Sequence, residues 1–353
     1  MSDNYLIVMA GGIGSRFWPM STEQHPKQFI DILGEGKTML QETVERFADI
    51  IPHENVYIVT NKLYYNIVKQ QLPYLTDNQI LLEPIMRNTA PCIAYACSKI
   101  AMISPKANIV VTPSDHVISN SLVFRNTIRQ SLYFVSTNDS IVTLGIQPDF
   151  PATGYGYIKK SAEGENGFYK VAGFKEKPTA QVAAGYISTS EYFWNSGIFI
   201  WRADIINQAI ASYLPEVASK FDAIKSTYYT PAEQEAINTY FPQCQNISID
   251  YGVMEKADNV YVFPSEFGWS DLGTWRSLHE LAPKDENRNV LSGKAIAIES
   301  SDCVIKVSEG KRIVVQGLSD YIVVENNGDI LICRKDQEQR IKEFSQQLKD
   351  TFE

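Results

Sequence analysis

The sequence is short of the features that mark secreted, membrane-spanning or nucleic-acid-binding chains. It has five cysteines in 353 residues, at 92, 97, 244, 303 and 333. The number is odd and no pair has C-x-x-C spacing, so neither a disulfide framework nor a zinc site is expected; they read as reduced, mostly buried residues. Cys92 and Cys97 are close in sequence, but a separation of five does not place two side chains on one helix face. No apolar run approaches the ~18 residues of a membrane-spanning helix. No basic segment precedes the first apolar run, so no signal peptide is expected and the location reads as cytoplasmic. Positive charge is not in excess either: the net charge of -9 argues against a general nucleic-acid binder. A local basic pocket would still suffice for a nucleotide. What the chain does have is length for one large domain and a small one, at ~100–200 residues per domain, and enough Tyr and Phe to fill a sizeable core.

One stretch organises the rest. Tyr5 to Met9 is apolar without alternation, as expected of a strand buried on both faces. It breaks into Ala10-Gly11-Gly12-Ile13-Gly14-Ser15-Arg16. Three glycines in four positions let the backbone turn sharply and bring its N–H groups close to an anion. Arg16 and Lys27 add two positive charges, and arginine can grip phosphate oxygens through two donors. A strand, a glycine loop and two cations together suggest a polyphosphate site. Two standard phosphate loops are excluded. Gly12-x-Gly14 is followed by Phe17 where the dinucleotide fingerprint needs glycine, and Gly36-Lys37-Thr38 has Asp31 where a Walker loop needs glycine. That triplet reads as a turn into a helix.

Downstream, strands alternate with helices to about residue 145. Thr38-x-x-Gln41 is a capping box. Strands are expected at 56–59, 80–82, 109–111 and 141–144, and helices at 62–72, 91–103 and 121–135. This βαβα order predicts a Rossmann-like, doubly wound α/β fold with a mixed, mostly parallel sheet, and ligands outside the carboxyl ends of its strands. The glycine loop, Glu83-Pro84 and Asp115 all fall at such ends. Residues 155–159, 169–174, 193–201 and 260–263 read as further strands of the same domain. Thr230-Pro231-Ala232-Glu233 reads as a second capping box with proline at the first helical position. From about 290, short apolar runs separated by turns suggest a small all-β unit, closed by an amphipathic helix bearing Ile341, Phe344 and Leu348. The expected division is 1–285 and 286–353.

The loop G-G-x-G-x-R followed by Pro-Lys is similar to the signature of sugar-nucleotide pyrophosphorylases, a family of nucleotidyltransferases. The wording Phe17-Trp18-Pro19-Met20-Ser21, His25-Pro26-Lys27-Gln28-Phe29 and Gly268-Trp269-Ser270-Asp271 resembles the branch of that family that takes GTP and mannose 1-phosphate. The resemblance covers roughly residues 4–283. It implies GTP and mannose 1-phosphate as substrates, GDP-mannose as product and Mg²⁺ as cofactor; the charge balance and the lack of a long apolar run leave no nucleic-acid or membrane partner expected. It also implies a C-terminal β-helix-like unit that mediates dimers, hence a homodimer. Such a transfer needs cations on the phosphates, a divalent metal held by carboxylates, and in-line alignment of the substrates; no covalent protein nucleophile is required.

On this resemblance Asp115 and Asp271 ligate the metal. Ala10, Gly11, Gly12, Gly14, Ser15, Arg16, Lys27, Glu83, Arg87, Asn88 and Asp115 serve the nucleotide, the segment from Glu83 to Asn88 on the guanine side. Gly154, Tyr155, Glu176, Lys177, Asn195 and Asp250 serve the sugar phosphate. Arg16, Lys27, Asp115 and Asp271 carry the catalysis. The residues alone leave plainer readings open: Asp271 as a helix N-cap, Asn88 or Thr89 as a cap, the run Lys175-Glu176-Lys177 as a solvated face. His116 reads as structural, since a sugar phosphate is already ionised and needs no base. The glycine loop and carboxylates do not separate this branch from other sugar-1-phosphate nucleotidylyltransferases, and a non-catalytic nucleotide-binding homologue has the same fold. A fused mannose-6-phosphate isomerase site is not expected, because none of the four histidines (25, 53, 116, 279) lies beyond 279.

Overall fold

Tyr5, Leu6, Ile7 and Val8 alternate across a pleat yet are all buried, so the strand they form, β1 (Asn4–Met9), is covered on both faces. The computed structural model describes residues 3–12 and 14–352; the side chain of Glu176, an expected sugar ligand, lies outside the described residues. Beside β1 run β2 (Val56–Asn61), β3 (Ile80–Glu83) and β4 (Asn108–Pro113), all parallel. The sheet continues with β5 (Ile141–Ile146), β6 (Gly156–Glu165), β7 (Phe168–Glu176), β8 (Tyr192–Arg202) and β9 (Val260–Ser265). Its nine-strand order is β3-β2-β1-β4-β8-β5-β9-β7-β6. β7 and β8 run against the other strands, and β8 is inserted between β4 and β5. An apolar run reads the same in either direction, so the sequence did not show this insertion.

The first segment's helices are α1 (Met39–Glu45), α2 (Tyr65–Gln71), α3 (Thr89–Ala101) and α4 (Ser121–Thr137). The capping box before α1 is present in both directions: Thr38 N–H donates to Gln41 Oε1 at 3.0 Å and Gln41 N–H to Thr38 Oγ1 at 3.4 Å. Then come α5 (Ala180–Ile187), α6 (Ala203–Tyr213), α7 (Pro215–Ile224) and α8 (Glu233–Tyr240). One core joins Tyr5, Ile7, Val111 and Trp201 of the sheet to Cys97 and Ile100 of α3, Ile210 of α6, Phe221 of α7 and Ile237 of α8. All five cysteines are free and buried.

The second expected capping box is a correction. No side chain caps α8 at its N-cap, which is Ala232. Glu233 instead takes Lys99 Nζ at 2.7 Å, Tyr95 Oη at 2.5 Å and the Tyr229 N–H at 2.8 Å. A buried ammonium needs a carboxylate more than a helix start does, because an unpaired charge there is far costlier than an uncapped N–H.

The last part holds α9 (Trp275–Leu281), β10 (Val290–Ser292), β11 (Lys294–Ile298), β12 (Val304–Val307), β13 (Arg312–Gln316), β14 (Tyr321–Asn326), β15 (Asp329–Arg334) and α10 (Ile341–Phe352). β10, β12 and β14 stack in parallel, β11 pairs in parallel with β13, and β15 turns back on β14. These rungs are β-helix-like and enclose Cys303, Ile305, Val315 and Val323.

By internal contacts the chain forms two compact units, each assembled from more than one stretch of sequence. One comprises Met1–Gly11, Thr43–Ser114 and Ile118–Trp269; the other comprises Gly12–Glu42, Asp115–Val117 and Ser270–Glu353. The second unit owes its composition to a shared apolar core. Phe17 beside the glycine loop and Leu272 and Trp275 beside Asp271 pack with Val304, Ile322, Val324 and Ile341 of the C-terminal segment.

Candidate active site

In the second unit, three chain segments far apart in sequence meet at one ammonium group. Lys27 is buried, its side chain 3% exposed. Its Nζ donates to the main-chain oxygen of Asp115 at 2.8 Å, to Asp115 Oδ2 at 3.2 Å and to the main-chain oxygen of Asp271 at 2.8 Å. An ammonium has three protons, so this set engages all of them. Lys27 therefore acts in the structure as a tie between the two residues expected to ligate the metal, through the carboxylate and carbonyl of Asp115 and the carbonyl of Asp271.

The ammonium also sets the charge state of Asp115. Burial pushes its carboxyl up, but the charge of Lys27, with help from His116 and the Lys27 hydrogen bond, outweighs that and holds it below the ordinary value. Asp271 does not cap the following helix. The cap of α9 is Thr274, which exchanges hydrogen bonds with Ser277 at 3.2 and 3.0 Å. Asp271 Oδ1 instead accepts the Gly273 N–H at 3.0 Å. Gly14, Ser15, Arg16, Lys27, Asp115, His116 and Asp271 line one cavity of about 280 Å³.

The glycine loop is held from behind by side chains that the sequence did not single out. Gln28 Nε2 donates to the Gly12 carbonyl at 2.8 Å, and Ser21 Oγ to the Gly14 carbonyl at 2.5 Å. A peptide's N–H points opposite to its C=O, so fixing the Gly14 carbonyl also fixes the Ser15 N–H. Gly14 itself has φ +62°, and a Cβ there would lie 2.5 Å from Lys27 Cβ, so this position requires glycine. Arg16 is exposed in the short turn Ser15–Phe17, and Phe17 anchors that turn against Trp275 with ring centroids 5.0 Å apart.

The two carboxylates are suited to a hard divalent cation. Among the described residues no three His, Cys, Asp or Glu groups cluster to hold a metal. Two carboxylates completed by substrate phosphates is the usual arrangement for Mg²⁺, so the donor set fits.

In the first unit, Ala10 is tied into the sheet: its N–H donates to the Val59 carbonyl at 2.8 Å and its own carbonyl accepts Thr60 Oγ1 at 2.8 Å. Beyond it, a Cβ on Gly11 would lie 3.1 Å from Glu83 Oε2. Glu83 is 7% exposed, and burial pushes its carboxyl up to about 8. No described residue donates a hydrogen bond to that carboxyl. Arg87 is turned away to the Pro242 carbonyl, which it holds through Nε at 3.2 Å and Nη2 at 2.7 Å. Asn88 caps α3 by accepting the Thr89 N–H at 3.0 Å.

Two expected sugar-side residues meet directly, Asn195 Nδ2 donating to Asp250 Oδ1 at 2.7 Å. Tyr155 stands edge-on to Trp194 and Trp269, in an aromatic wall that sequence reading missed apart from Tyr155 itself. Lys177 is exposed with φ +43°, its N–H donating to the Tyr155 carbonyl at 3.3 Å. A Cβ on Gly154 would meet nothing within 4 Å.

A glycine loop, two tied carboxylates and a doubly wound sheet define a nucleotidyltransferase, and the chain belongs to the nucleotidyl transferase family, whose model matches residues 5–288. A second model, the MannoseP isomerase/GMP-like beta-helix domain, matches residues 293–348. The chain is 36% identical over 349 residues to the mannose-1-phosphate guanylyltransferase of Klebsiella pneumoniae, covering 97% of this chain and 73% of that one. It is 38% identical over 359 residues to the enzyme of the same name from Salmonella muenchen, covering 99% and 74%. Among solved structures, a mannose-1-phosphate geranyltransferase from Thermus thermophilus superposes with TM-score 0.88 at 31% identity, over 98% of this chain and 99% of that one.

The Glu83 carboxyl yields a prediction with a definite sign. Its folded value lies above the ordinary 4.5, so the native protein keeps a proton that the unfolded chain loses, and stability falls as pH rises from about 4.5 to about 8. Glu83→Gln removes this titration. Above pH 8 the variant without ligand should therefore melt higher than the wild type, with the gap closing toward pH 4.5. An equal melting difference at both pH values would contradict the assignment.

Proposed function

We propose that the chain transfers the guanylyl group of GTP to mannose 1-phosphate, giving GDP-mannose and pyrophosphate. The observation that carries this reading is the buried Lys27 tie, which brings Asp115 and Asp271 to one cavity beside Arg16 and the glycine loop. The names of relatives more than 30% identical support the choice of base and sugar.

A phosphate oxygen of mannose 1-phosphate attacks the α-phosphorus of GTP. The new P–O bond forms as the bond from the α-phosphorus to the bridging oxygen breaks, and pyrophosphate leaves with that electron pair. No proton has to move, so His116 has no base to be. Asp115 and Asp271 hold the divalent cation, Mg²⁺ on this reading, which when bound neutralises charge on the triphosphate. Arg16 and the N–H groups of the glycine loop offset the remaining phosphate charge. Lys27 contributes by fixing the Asp115 carboxylate and the backbone that carries Asp271.

Glu83 suits a guanine edge. Once it gives up the proton that burial makes it keep, its carboxylate has two acceptor oxygens that match the adjacent N1–H and N2–H donors, and those donors offset the cost of the buried charge. Asn195, Asp250, Tyr155 and Lys177 serve the mannose phosphate. Arg87 and Asn88 shape the turn after β3, their hydrogen bonds holding the backbone.

Residues 1–285 are the catalytic domain on this reading and 286–353 a small unit that pairs two chains. The pairing rests on an apolar outer face: Ile296 and Val314, register partners on β11 and β13, are 57% and 62% exposed, with Ile298 beside them. No helix among the described residues is long and apolar enough to cross a membrane, and the proposed location is the cytoplasm, where GTP is available.

Pyrophosphate release with Mg²⁺, tested for GTP, ATP, UTP, CTP and dTTP against mannose 1-phosphate and glucose 1-phosphate, should be confined mainly to GTP with mannose 1-phosphate. Asp271→Ala should lower that turnover by roughly 100-fold or more, the scale of losing an electrostatic stabiliser. Turnover with another pair would move the specificity, and full activity in Asp271→Ala would remove the metal assignment. In sedimentation velocity the wild type should run as two chains and Val314→Lys as one; a single-chain wild type would refute the pairing.

A further inference from the structure

The loop that bears Asp271 is clamped from the far end of the chain. Glu338 lies in the short helical turn Lys335–Arg340 ahead of α10, within the segment matched by the beta-helix model. It is 7% exposed. Its Oε2 accepts the Arg276 N–H at 2.9 Å, and its Oε1 is 3.9 Å from Arg276 Nε. Thr274 is the residue whose hydroxyl oxygen accepts the Ser277 N–H to cap α9.

Between this clamp and Asp271 the backbone is in a conformation it would not hold alone. Leu272 has φ +43°, in the left-handed region that a branched side chain disfavours, and it is fully buried with Phe17 and Trp275. Asp271 is held in front by Lys27 and turns its Oδ1 to Gly273. The segment 271–276 is thus fixed at one end by Lys27, in its middle by the Leu272 packing and at the other end by Glu338. Burial pushes the Glu338 carboxyl up, and the charges of Arg276 and Arg16 act against that. Arg16 thus feels the same carboxylate that holds the start of α9.

We propose that Glu338 is a positioning residue of the metal site, holding the start of α9, and through it the Asp271 carboxylate, in place for a divalent cation. The proposal rests on the metal-ligand reading of Asp271. It gives the C-terminal segment a part in the nucleotidyl-transfer site besides chain pairing.

Binding of Mn²⁺ with GTP, read from the electron paramagnetic resonance of enzyme-bound Mn²⁺, tests it without relying on turnover. Glu338→Ala in the full chain should weaken Mn²⁺ binding by roughly tenfold, the low end of effects for residues that orient metal ligands. The Mg²⁺ concentration for half-maximal transfer should rise in step, with the KM for mannose 1-phosphate unchanged. Glu338→Gln keeps one acceptor oxygen and should recover most of the loss, leaving a weakening of about threefold, below that range. A Glu338→Ala protein that melts lower but keeps wild-type Mn²⁺ binding would overturn the proposal. If Glu338→Ala fails to fold, Glu338→Gln decides: weakened Mn²⁺ binding at an unchanged melting temperature supports the positioning role, and unchanged binding overturns it. A wild type that binds Mn²⁺ with GTP yet transfers to no sugar phosphate would defeat the transferase reading alone, since the Mn²⁺ comparison would still report on Glu338.

Discussion

The arrangement depends on one buried ammonium. Lys27 joins segments 88 and 244 residues away from it by donating to Asp115 and Asp271. Burying a charge is costly unless it is paired and fully hydrogen-bonded, and Lys27 meets both conditions with one carboxylate and two carbonyls. The result is two acidic residues at one cavity, with no third carboxylate clustered beside them among the described residues. Bringing acidic groups together without a cation would raise their affinity for protons. Lys27 opposes that at Asp115, whose carboxyl stays below its ordinary value despite burial.

The same segments are secured by apolar packing. Phe17, two residues after Ser15, and Leu272 and Trp275, just after Asp271, share a core with C-terminal strands and with Ile341 of the last helix. A glycine-rich loop has high conformational freedom, and ordering it carries an entropic cost. That cost is met by contacts around it: the Phe17 anchor, and the hydrogen bonds from Gln28 and Ser21 to loop carbonyls. The β-helix-like rungs therefore have two faces with separate uses. Val304, Ile322 and Val324 pack inward against the loop anchors, while Ile305 and Val323 fill the interior of the rungs.

Local features were legible in the sequence and long-range ones were not. The β1 strand, the Thr38–Gln41 capping box and the placement of Asp115 after a strand follow from short-range pattern, and the structure has all three. The direction of β8 was not legible, because its apolar run has no sense of polarity. Nor were partners distant in the chain. Arg87 bonds the Pro242 carbonyl, 155 residues on, a partner that no local pattern around Arg87 indicates. Glu233, at capping-box spacing from Thr230, is bound instead by Lys99, 134 residues away. Lys27 belongs with these: a motif gives the residue type and leaves the direction of the side chain to the fold, here toward Asp115 and Asp271. Asp271 shows the converse. A cap was a fair local reading, and the actual cap three residues later at Thr274 leaves its carboxylate facing the cavity.

The most direct test of the Lys27 account is calorimetric titration of GTP into Lys27→Met with and without Mg²⁺. If Lys27 ties the two acidic residues, the variant should lose most of the strengthening that Mg²⁺ gives to GTP binding while the metal-free affinity changes little. If Lys27 instead serves mainly as a phosphate ligand, metal-free affinity should fall sharply and the Mg²⁺ effect should survive, which would contradict the account.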